Sequence, residues 1–232
     1  NLDDEESLNL AANIESTRKY FSSRSINDNG ASIIDDYICY NNEKIIGLKD
    51  LKLKGRHNHE NVMAAIAVVK EFDVDNEAII RVLSSFGGVA HRLEYVTTIN
   101  NIDFYNDSKA TNITSTQIAL SSFDNPTILL MGGLDRGHSF SGLKDYLKNT
   151  KFIVSYGQTK DRICDFAIEI GIPCKAFDSL EDATSEAYSH ALAGDVVLLS
   201  PACASWDQYE NFEIRGDIFK KYVENLQRHY PR

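Results

Sequence analysis

The stretch "IDFYNDSKATN" (residues 102–112) decides the fold. Its first half has the apolar character of a buried strand, and the chain then changes within one residue to an acid, a lysine and a row of hydroxyl and amide side chains. Two later apolar runs end in the same abrupt way: "TILLM" (127–131) precedes "GGLDRGHSF" (132–140), and "VVLLS" (196–200) precedes "PACASWDQYENF" (201–212). Polar groups placed directly after core strands predict loops that carry function.

Short apolar runs alternate with helical segments throughout the second half of the chain. Strands are predicted at "IDFY", "TILLM", "FIVSY" and "VVLLS", and helices near residues 112–122, 139–148, 159–170, 179–193 and 211–228. This alternation is typical of an α/β fold with a mostly parallel sheet. Because the carboxyl ends of parallel strands lie along one edge, we expect the three polar loops to gather there, where such folds bind ligands.

The first half of the chain has a different organisation. Residues 32–54 have the pattern of β-structure, with a hairpin turn at "NNE" (41–43). The glycines of "SSFGGVAHRLE" (84–94) predict a linker at residues 86–92, between a domain at 1–90 and a domain at 91–232. Before this linker, apolar spacings of three and four predict two core-facing helices, one with Val62, Ala65, Ile66, Val69 and Phe72, and one behind an Asp75 cap with Ile79, Val82, Leu83 and Phe86.

Composition and charge exclude several classes of protein. The 232 residues are 43% hydrophobic, which is enough for a buried core in two modest domains. The net charge is −10 and the chain has no basic run of the kind that binds a phosphate backbone, so no nucleic-acid partner is expected. No apolar run reaches the roughly 20 residues that a membrane helix needs, and the N-terminus is acidic, so we expect a cytoplasmic protein without a membrane partner.

The sulfur-containing residues give two further expectations. The cysteines form no C-x-x-C pair, which predicts reduced thiols and gives no support for a zinc site; they are Cys39, Cys164, Cys174 and Cys203. The chain begins at Asn1 and its only methionines are Met63 and Met131, which indicates a fragment of a longer protein.

The three loops offer complementary groups to an anionic small molecule. Asp107 can accept hydrogen bonds from ribose hydroxyls, while Lys109 and Arg136 supply positive charge for phosphate or carboxylate. Thr111 and Ser205 add hydroxyl donors.

Each of these features also has a purely structural explanation. Taken singly, Asp107, Thr111 and Ser205 are common helix caps or turn residues, and the glycine pair at 132–133 can allow close approach to a ligand or form an ordinary turn. Cys203 is predicted to be a packed thiol, because no histidine lies near it in the sequence to activate it. The functional interpretation depends on three such loops sharing one edge.

Two pairs outside the loops are further candidates. Asn58 and Asn61 are three residues apart at a predicted helix start, where their amides could contact an adenine edge or cap the helix. His91 and Arg92 lie in the predicted linker, where Arg92 could reach phosphate or form a surface ion pair. Neither G-x-x-x-x-G-K-[ST] nor G-x-G-x-x-G occurs in the sequence.

Five segments, in this order, resemble the Mur ligases: "GRHNHENVMAA", "AHRLE", "YNDSKATN", "GGLDRGHSF" and "LLSPACASWDQYENFEIRG". The H-N-x-x-N pattern is shared with folylpolyglutamate synthases, whereas D-S-K-A-T-N and S-P-A-C-A-S are similar to the D-glutamate-adding members. The resemblance implies that residues 1 to about 90 form the second part of a central ATP-binding domain, a hairpin plus helices. Residues 91–232 are then a Rossmann-like C-terminal domain that binds the amino acid.

The resemblance also implies a role for individual residues. The nucleotide would be contacted by Asn58, Asn61, His91, Arg92 and Asp107, and D-glutamate by Thr111, Arg136, Ser205 and the backbone of Phe212. Lys109 and Arg92 would act on the phosphates at the reaction centre. Arg136 departs from relatives that carry lysine at this position, and it keeps the charge while offering a bidentate fork.

The activity implied is ATP-dependent ligation in peptidoglycan synthesis. ATP would activate the carboxylate of UDP-N-acetylmuramoyl-L-alanine as an acyl phosphate, which the amine of D-glutamate would attack. The P-loop, the Mg²⁺ ligands and a carbamoylated lysine would lie in missing N-terminal and central portions of the same chain, so this segment alone is expected not to catalyse ligation. Two alternatives stay open: a ligase for another amino acid or for folate, and a non-catalytic nucleotide-binding module.

Overall fold

The structure is a computed structural model that describes residues 1–53 and 55–229. The chain divides into two compact units, Asn1–Gly88 and the chain from Val89 onward, and the predicted linker at 86–92 spans this division.

The first unit contains a four-stranded sheet. Its strands are β1 (Tyr20–Ser22), β2 (Gly30–Ile34), β3 (Tyr37–Tyr40) and β4 (Glu43–Gly47), in the order β1-β2-β3-β4. The β1–β2 pair is parallel and the other two pairs are antiparallel. The predicted hairpin at Asn41-Asn42 is confirmed, and Asp35-Asp36 makes a second one; these four residues have positive φ, as the tight turns of two-residue hairpins require.

Helices α1 (Glu5–Ala11), α2 (Arg56–Val69) and α3 (Asn76–Ser85) belong to the same unit. The predicted cap is confirmed, since the Asp75 carboxylate accepts a hydrogen bond from Ala78 N at 2.7 Å. Three predicted core residues are buried, namely Val62, Ile66 and Ile79, and Val69 and Leu83 pack against them. The prediction is wrong for Ala65, Phe72, Val82 and Phe86, which are exposed, because the apolar stripe is wider than the face that packs on the sheet.

The second unit is the predicted α/β domain with a mostly parallel sheet. Its six strands lie in the order β5-β6-β10-β7-β8-β9, and only the β5–β6 pair is antiparallel. The strands are β5 (Glu94–Ile99), β6 (Ile102–Asn106), β7 (Thr127–Gly132), β8 (Thr150–Tyr156), β9 (Cys174–Phe177) and β10 (Val196–Leu199). Strands β5 and β9 were not predicted. They lie at the two edges of the sheet and are only half-buried, so their apolar patterns are weak.

Helices cover both faces of this sheet: α4 (Ile113–Leu120), α5 (Lys160–Glu169), α6 (Leu180–His190) and α7 (Phe212–His229). Successive residues of β7 alternate between two cores, with Ile128 and Leu130 on the face of α6 and α7, and Leu129 and Met131 on the other. Both faces are therefore dry, which explains the unbroken apolar run of the strand. The helix predicted near 139–148 is a short 3₁₀ segment, Ser141–Tyr146.

The expectation of four free thiols is wrong. Cys164 of α5 and Cys174 of β9 form a disulfide, with a Cα–Cα distance of 5.3 Å, whereas Cys39 and Cys203 are free and buried. The pairing depends on α5 packing beside an edge strand that the sequence pattern did not reveal.

None of the helices in the described part of the chain is long and apolar enough to cross a membrane.

Candidate active site

The three polar loops follow three neighbouring strands. Because β6, β10 and β7 are adjacent and parallel, their carboxyl ends lie side by side. Backbone hydrogen bonds join the loops: Asp107 N donates to Leu199 O at 2.8 Å, and Leu134 N donates to Ala204 O at 2.9 Å. The sequence predicted this shared edge, and it forms as expected.

The glycine pair at the end of β7 allows this close packing. Gly132 and Gly133 have φ values of +139° and +142°, and a Cβ at either position would lie 1.9 Å from Tyr156 O or 2.2 Å from Ala204 O. The neighbouring backbone therefore accounts for both glycines, without a ligand.

Asp107 is held inside the unit. Its side chain is 5% exposed; Oδ1 accepts a hydrogen bond from Leu93 N at 3.2 Å and Oδ2 accepts one from Ser200 Oγ at 2.8 Å. Burial raises the pKa of Asp107 to about 7, against the opposing effects of these two donors and of the positive charge on Arg92. Each carboxylate oxygen of Asp107 has a second lone pair that these two bonds do not use.

The segment 91–93 has a strained backbone. His91 and Leu93 have φ values of +64° and +44°, a region that side chains other than glycine and asparagine rarely adopt. Lys109 N donates to His91 O at 2.9 Å, and His91 N donates to the Glu94 carboxylate at 2.9 Å. Together with the Asp107–Leu93 bond, these contacts fix the backbone on both sides of Arg92, whose side chain is exposed.

The ring of His91 contacts helix α7 and strand β6. Nδ1 lies 3.1 Å from the amide nitrogen of Asn106, and Nε2 lies 3.8 Å from a carboxylate oxygen of Asp217. His91 is 7% exposed.

Arg215 was not predicted as a site residue, and its side chain links the three loops. This side chain is fully buried. Its Nε donates to Ser108 Oγ at 2.9 Å and its Nη2 to Ser108 O at 2.7 Å, while Nη1 donates to Cys203 O at 3.0 Å. Nη1 also lies 3.5 Å from Gly132 O. The signal was present as an arginine inside the amphipathic pattern of "FEIRG", but an arginine there is normally a surface residue.

Two of the predicted cations are exposed and lie over aromatic rings. Lys109 Nζ is 5.1 Å from the ring centroid of Phe212, and the Arg136 guanidinium carbon is 4.8 Å from that of Trp206. Trp206 follows Ser205, which is buried, in the loop after β10. Thr111 is half-buried and precedes Asn112, the residue that caps α4.

The start of α7 lies at the same edge, beside the loop after β6. Asn211 caps the helix: its side chain accepts from Ile214 N at 2.8 Å and its carbonyl from Arg215 N. The carbonyl of Phe212 accepts a bond from Ser108 Oγ at 2.8 Å. A helix N-terminus of this kind favours an anionic group.

Cys203 is a packed thiol. It is fully buried, and burial raises its pKa to about 11. His138, which is distant in sequence, lies 3.9 Å from the sulfur, a proximity that the sequence did not reveal. A thiol with this pKa is protonated at neutral pH and is not a nucleophile.

The remaining predicted contacts lie in the first unit. Asn58 is half-buried and Asn61 is exposed, and both are on α2. Among the residues that the structure describes, no group of three or more His, Cys, Asp or Glu side chains could hold a metal ion.

Comparison with known proteins identifies the second unit. Residues 91–203 match the family described as "Mur ligase, glutamate ligase domain". This segment is therefore similar to the glutamate ligase domain of Mur ligases. Curated relatives cover both units: UDP-N-acetylmuramoylalanine–D-glutamate ligases from Bacillus mycoides (strain KBAB4) and Bacillus cereus (strain Q1) are each 48% identical over 227 residues, or 97% of this chain. The chain spans about half the length of these relatives, since the alignment covers 50% of each.

Solved Mur ligase structures share the fold. UDP-N-acetylmuramate–alanine ligase MurC from Thermotoga maritima superposes with a TM-score of 0.61 at 20% identity, over 83% of this chain and 42% of that one. MurF from Acinetobacter baumannii gives a TM-score of 0.56 at 19% identity, over 74% and 39% of the two chains. These structures confirm the predicted α/β fold, and the family match and the curated relatives confirm the resemblance to Mur ligases.

Proposed function

We propose that this chain is part of an ATP-dependent ligase that adds D-glutamate to UDP-N-acetylmuramoyl-L-alanine in peptidoglycan synthesis, in the cytoplasm. The observation that carries the proposal is the 48% identity over 97% of the chain with relatives named for that reaction. Because the chain spans half of those relatives, the activity is proposed for the full-length ligase that contains it, and this segment by itself should be inactive.

The proposed amino-acid site is formed by the loops after β6, β7 and β10 and by the start of α7. Arg136 would bind one carboxylate of D-glutamate, with Thr111, Ser205 and the Phe212 amide as further donors. An arginine fork suits a planar carboxylate. A substrate held at both of its carboxylates would have its amine oriented for attack, which is the main requirement of the second step.

The proposed nucleotide site uses the loop after β6 and the segment before β5. Asp107 would accept hydrogen bonds from ribose hydroxyls with its two remaining lone pairs. Arg92 and Lys109, both exposed cations, would stabilise charge on the transferring phosphoryl group. His91 would fix the segment that carries Arg92, and Asn58 and Asn61 in the first unit remain proposed adenine contacts. Mg²⁺ would neutralise the phosphates, and its ligands would lie in the part of the full-length ligase outside this segment.

The test is ADP release by the full-length ligase supplied with ATP, Mg²⁺ and UDP-N-acetylmuramoyl-L-alanine. D-glutamate would be compared with L-glutamate, D-alanine and meso-diaminopimelate. Turnover with D-glutamate alone is expected. Turnover with a different amino acid would overturn the substrate assignment, and no turnover with any of them would overturn the proposed reaction.

A further inference from the structure

Ser108 lies between two residues of the proposed nucleotide site and is shielded from solvent. Asp107 precedes it and Lys109 follows it, and its own side chain is fully buried. The role of the Ser108 hydroxyl is therefore sought in its contacts inside the protein.

Both hydrogen bonds of this hydroxyl go to the first turn of α7. Ser108 Oγ donates to Phe212 O at 2.8 Å and accepts from Arg215 Nε at 2.9 Å. The Ser108 carbonyl accepts a second bond from the same guanidinium at 2.7 Å, and its amide donates to the Asn106 side chain at 3.1 Å. All of the polar groups of Ser108 are satisfied, and three of its four bonds reach across more than 100 residues of sequence.

The partner of Ser108 reaches the other two loops. Arg215 donates to Cys203 O at 3.0 Å, in the loop after β10, and lies 3.5 Å from Gly132 O at the end of β7. All of these acceptors are neutral oxygens. The guanidinium is therefore held here by hydrogen bonds to carbonyl and hydroxyl groups. A shift of the Ser108 hydroxyl would displace the start of α7. Through Arg215 it would also displace the loops after β7 and β10.

We propose that Ser108 is a positioning residue that fixes the start of α7, and with it the Phe212 amide, for binding of D-glutamate, while its neighbours serve the nucleotide. This inference rests on the proposed function. The Ser108–Phe212 bond sets the helix N-terminus at a fixed place relative to Lys109, whose ammonium lies 5.1 Å from the Phe212 ring centroid. One hydroxyl thus links the part of the loop that serves ATP with the element that serves the amino acid.

The test is steady-state kinetics of Ser108→Ala in the full-length ligase. Loss of the hydroxyl leaves Phe212 O and Arg215 Nε without a partner, so α7 should shift; we expect the KM for D-glutamate to rise about tenfold, with the KM for ATP within about twofold of wild type. The matched control is Ser155→Ala, a fully buried serine whose hydroxyl donates to Lys160 O at 2.9 Å. The control should leave both KM values unchanged.

Ser108→Cys is the second variant, for use if the alanine variant does not fold. The thiol has a similar shape and is a weaker donor, so it should raise the KM for D-glutamate by a smaller factor than alanine. Equal changes in the two KM values, or a lower kcat with both KM values unchanged, would overturn the positioning role. Failure of the proposed function would be distinguished by wild-type enzyme that shows no turnover dependent on D-glutamate.

Discussion

Gly216 lies directly against the ring of His91. A Cβ at Gly216 would stand 2.2 Å from His91 Nδ1 and 3.0 Å from the Asn106 side-chain nitrogen. The glycine on α7 thus allows the strained segment 91–93 to pack on the helix that carries Phe212 and Arg215. The segment that carries Arg92 and the helix that carries Phe212 therefore pack directly against each other.

Gly216→Ala should destabilise the protein. The added methyl has no space, and moving a buried ring costs about 1–3 kcal/mol, a typical value for overpacking. Urea denaturation would measure the loss. Gly87→Ala is the matched control, because nothing lies within 4 Å of a Cβ built there. A wild-type midpoint for Gly216→Ala would contradict the close packing.

Arg215→Lys should destabilise the protein, although lysine keeps the positive charge. Lysine cannot reproduce the planar fork that bonds Ser108 and Cys203, so at least one buried carbonyl loses its donor. We expect a loss of about 1–3 kcal/mol in the free energy of unfolding. Arg228→Lys, at an exposed position of the same helix, is the control and should change stability little. Equal stability of the two variants would show that the fork is dispensable.

Asp107 should make stability fall as pH rises towards neutrality. Its pKa is raised from 3.8 to about 7 in the folded state, so between these values the folded protein binds more protons than the unfolded chain. The ionised carboxylate is therefore less favourable in the folded state, by at most about 4 kcal/mol above pH 7. The contribution of Asp107 is neutral below about pH 4 and fully unfavourable above about pH 7.

Asp107→Asn removes this titration and should flatten the dependence of unfolding free energy on pH between 4 and 7. Urea denaturation at several pH values would measure it, with the exposed Asp145→Asn as control. Parallel curves for wild type and Asp107→Asn would contradict the raised pKa.

The Cys164–Cys174 disulfide should contribute to stability. The bond joins residues 10 apart, and closing a loop of this size stabilises a fold by about 2–3 kcal/mol. Thermal unfolding with and without dithiothreitol should show a lower Tm in the reductant, and peptide mapping under non-reducing conditions should find the linked pair. The double variant Cys164→Ser, Cys174→Ser should lose sensitivity to the reductant. Four freely titrating thiols in the untreated protein would restore the original expectation.

The parts of the fold that the sequence predicted are those with strong periodicity. Residues 128–131 lie in a buried strand because every side chain is apolar, and Asp75 caps α3 as its position before an apolar repeat suggested. The edge strand β9 was missed, because "CKAF" carries neither alternation nor a long apolar run.

The site shows a similar division. The shared edge of three loops followed from the direction of the strands, which a sequence can indicate. The contacts of the buried Arg215 with Ser108 and of His138 with Cys203 join residues far apart in sequence, and the disulfide depends on α5 packing beside an edge strand that was not predicted. Local sequence patterns do not predict such contacts.

The most direct test of the proposed amino-acid site is the kinetics of Arg136→Ala in the full-length ligase. Arg136 is exposed and stacked on Trp206, so its removal should leave the fold intact while removing a carboxylate contact. We expect the KM for D-glutamate to rise at least tenfold, as for a lost charged hydrogen bond of about 1.5–3 kcal/mol, with the KM for ATP unchanged. The exposed Lys148→Ala is the control. Equal rises in the two KM values, or an unchanged KM for D-glutamate, would contradict the assignment of this loop to the amino acid.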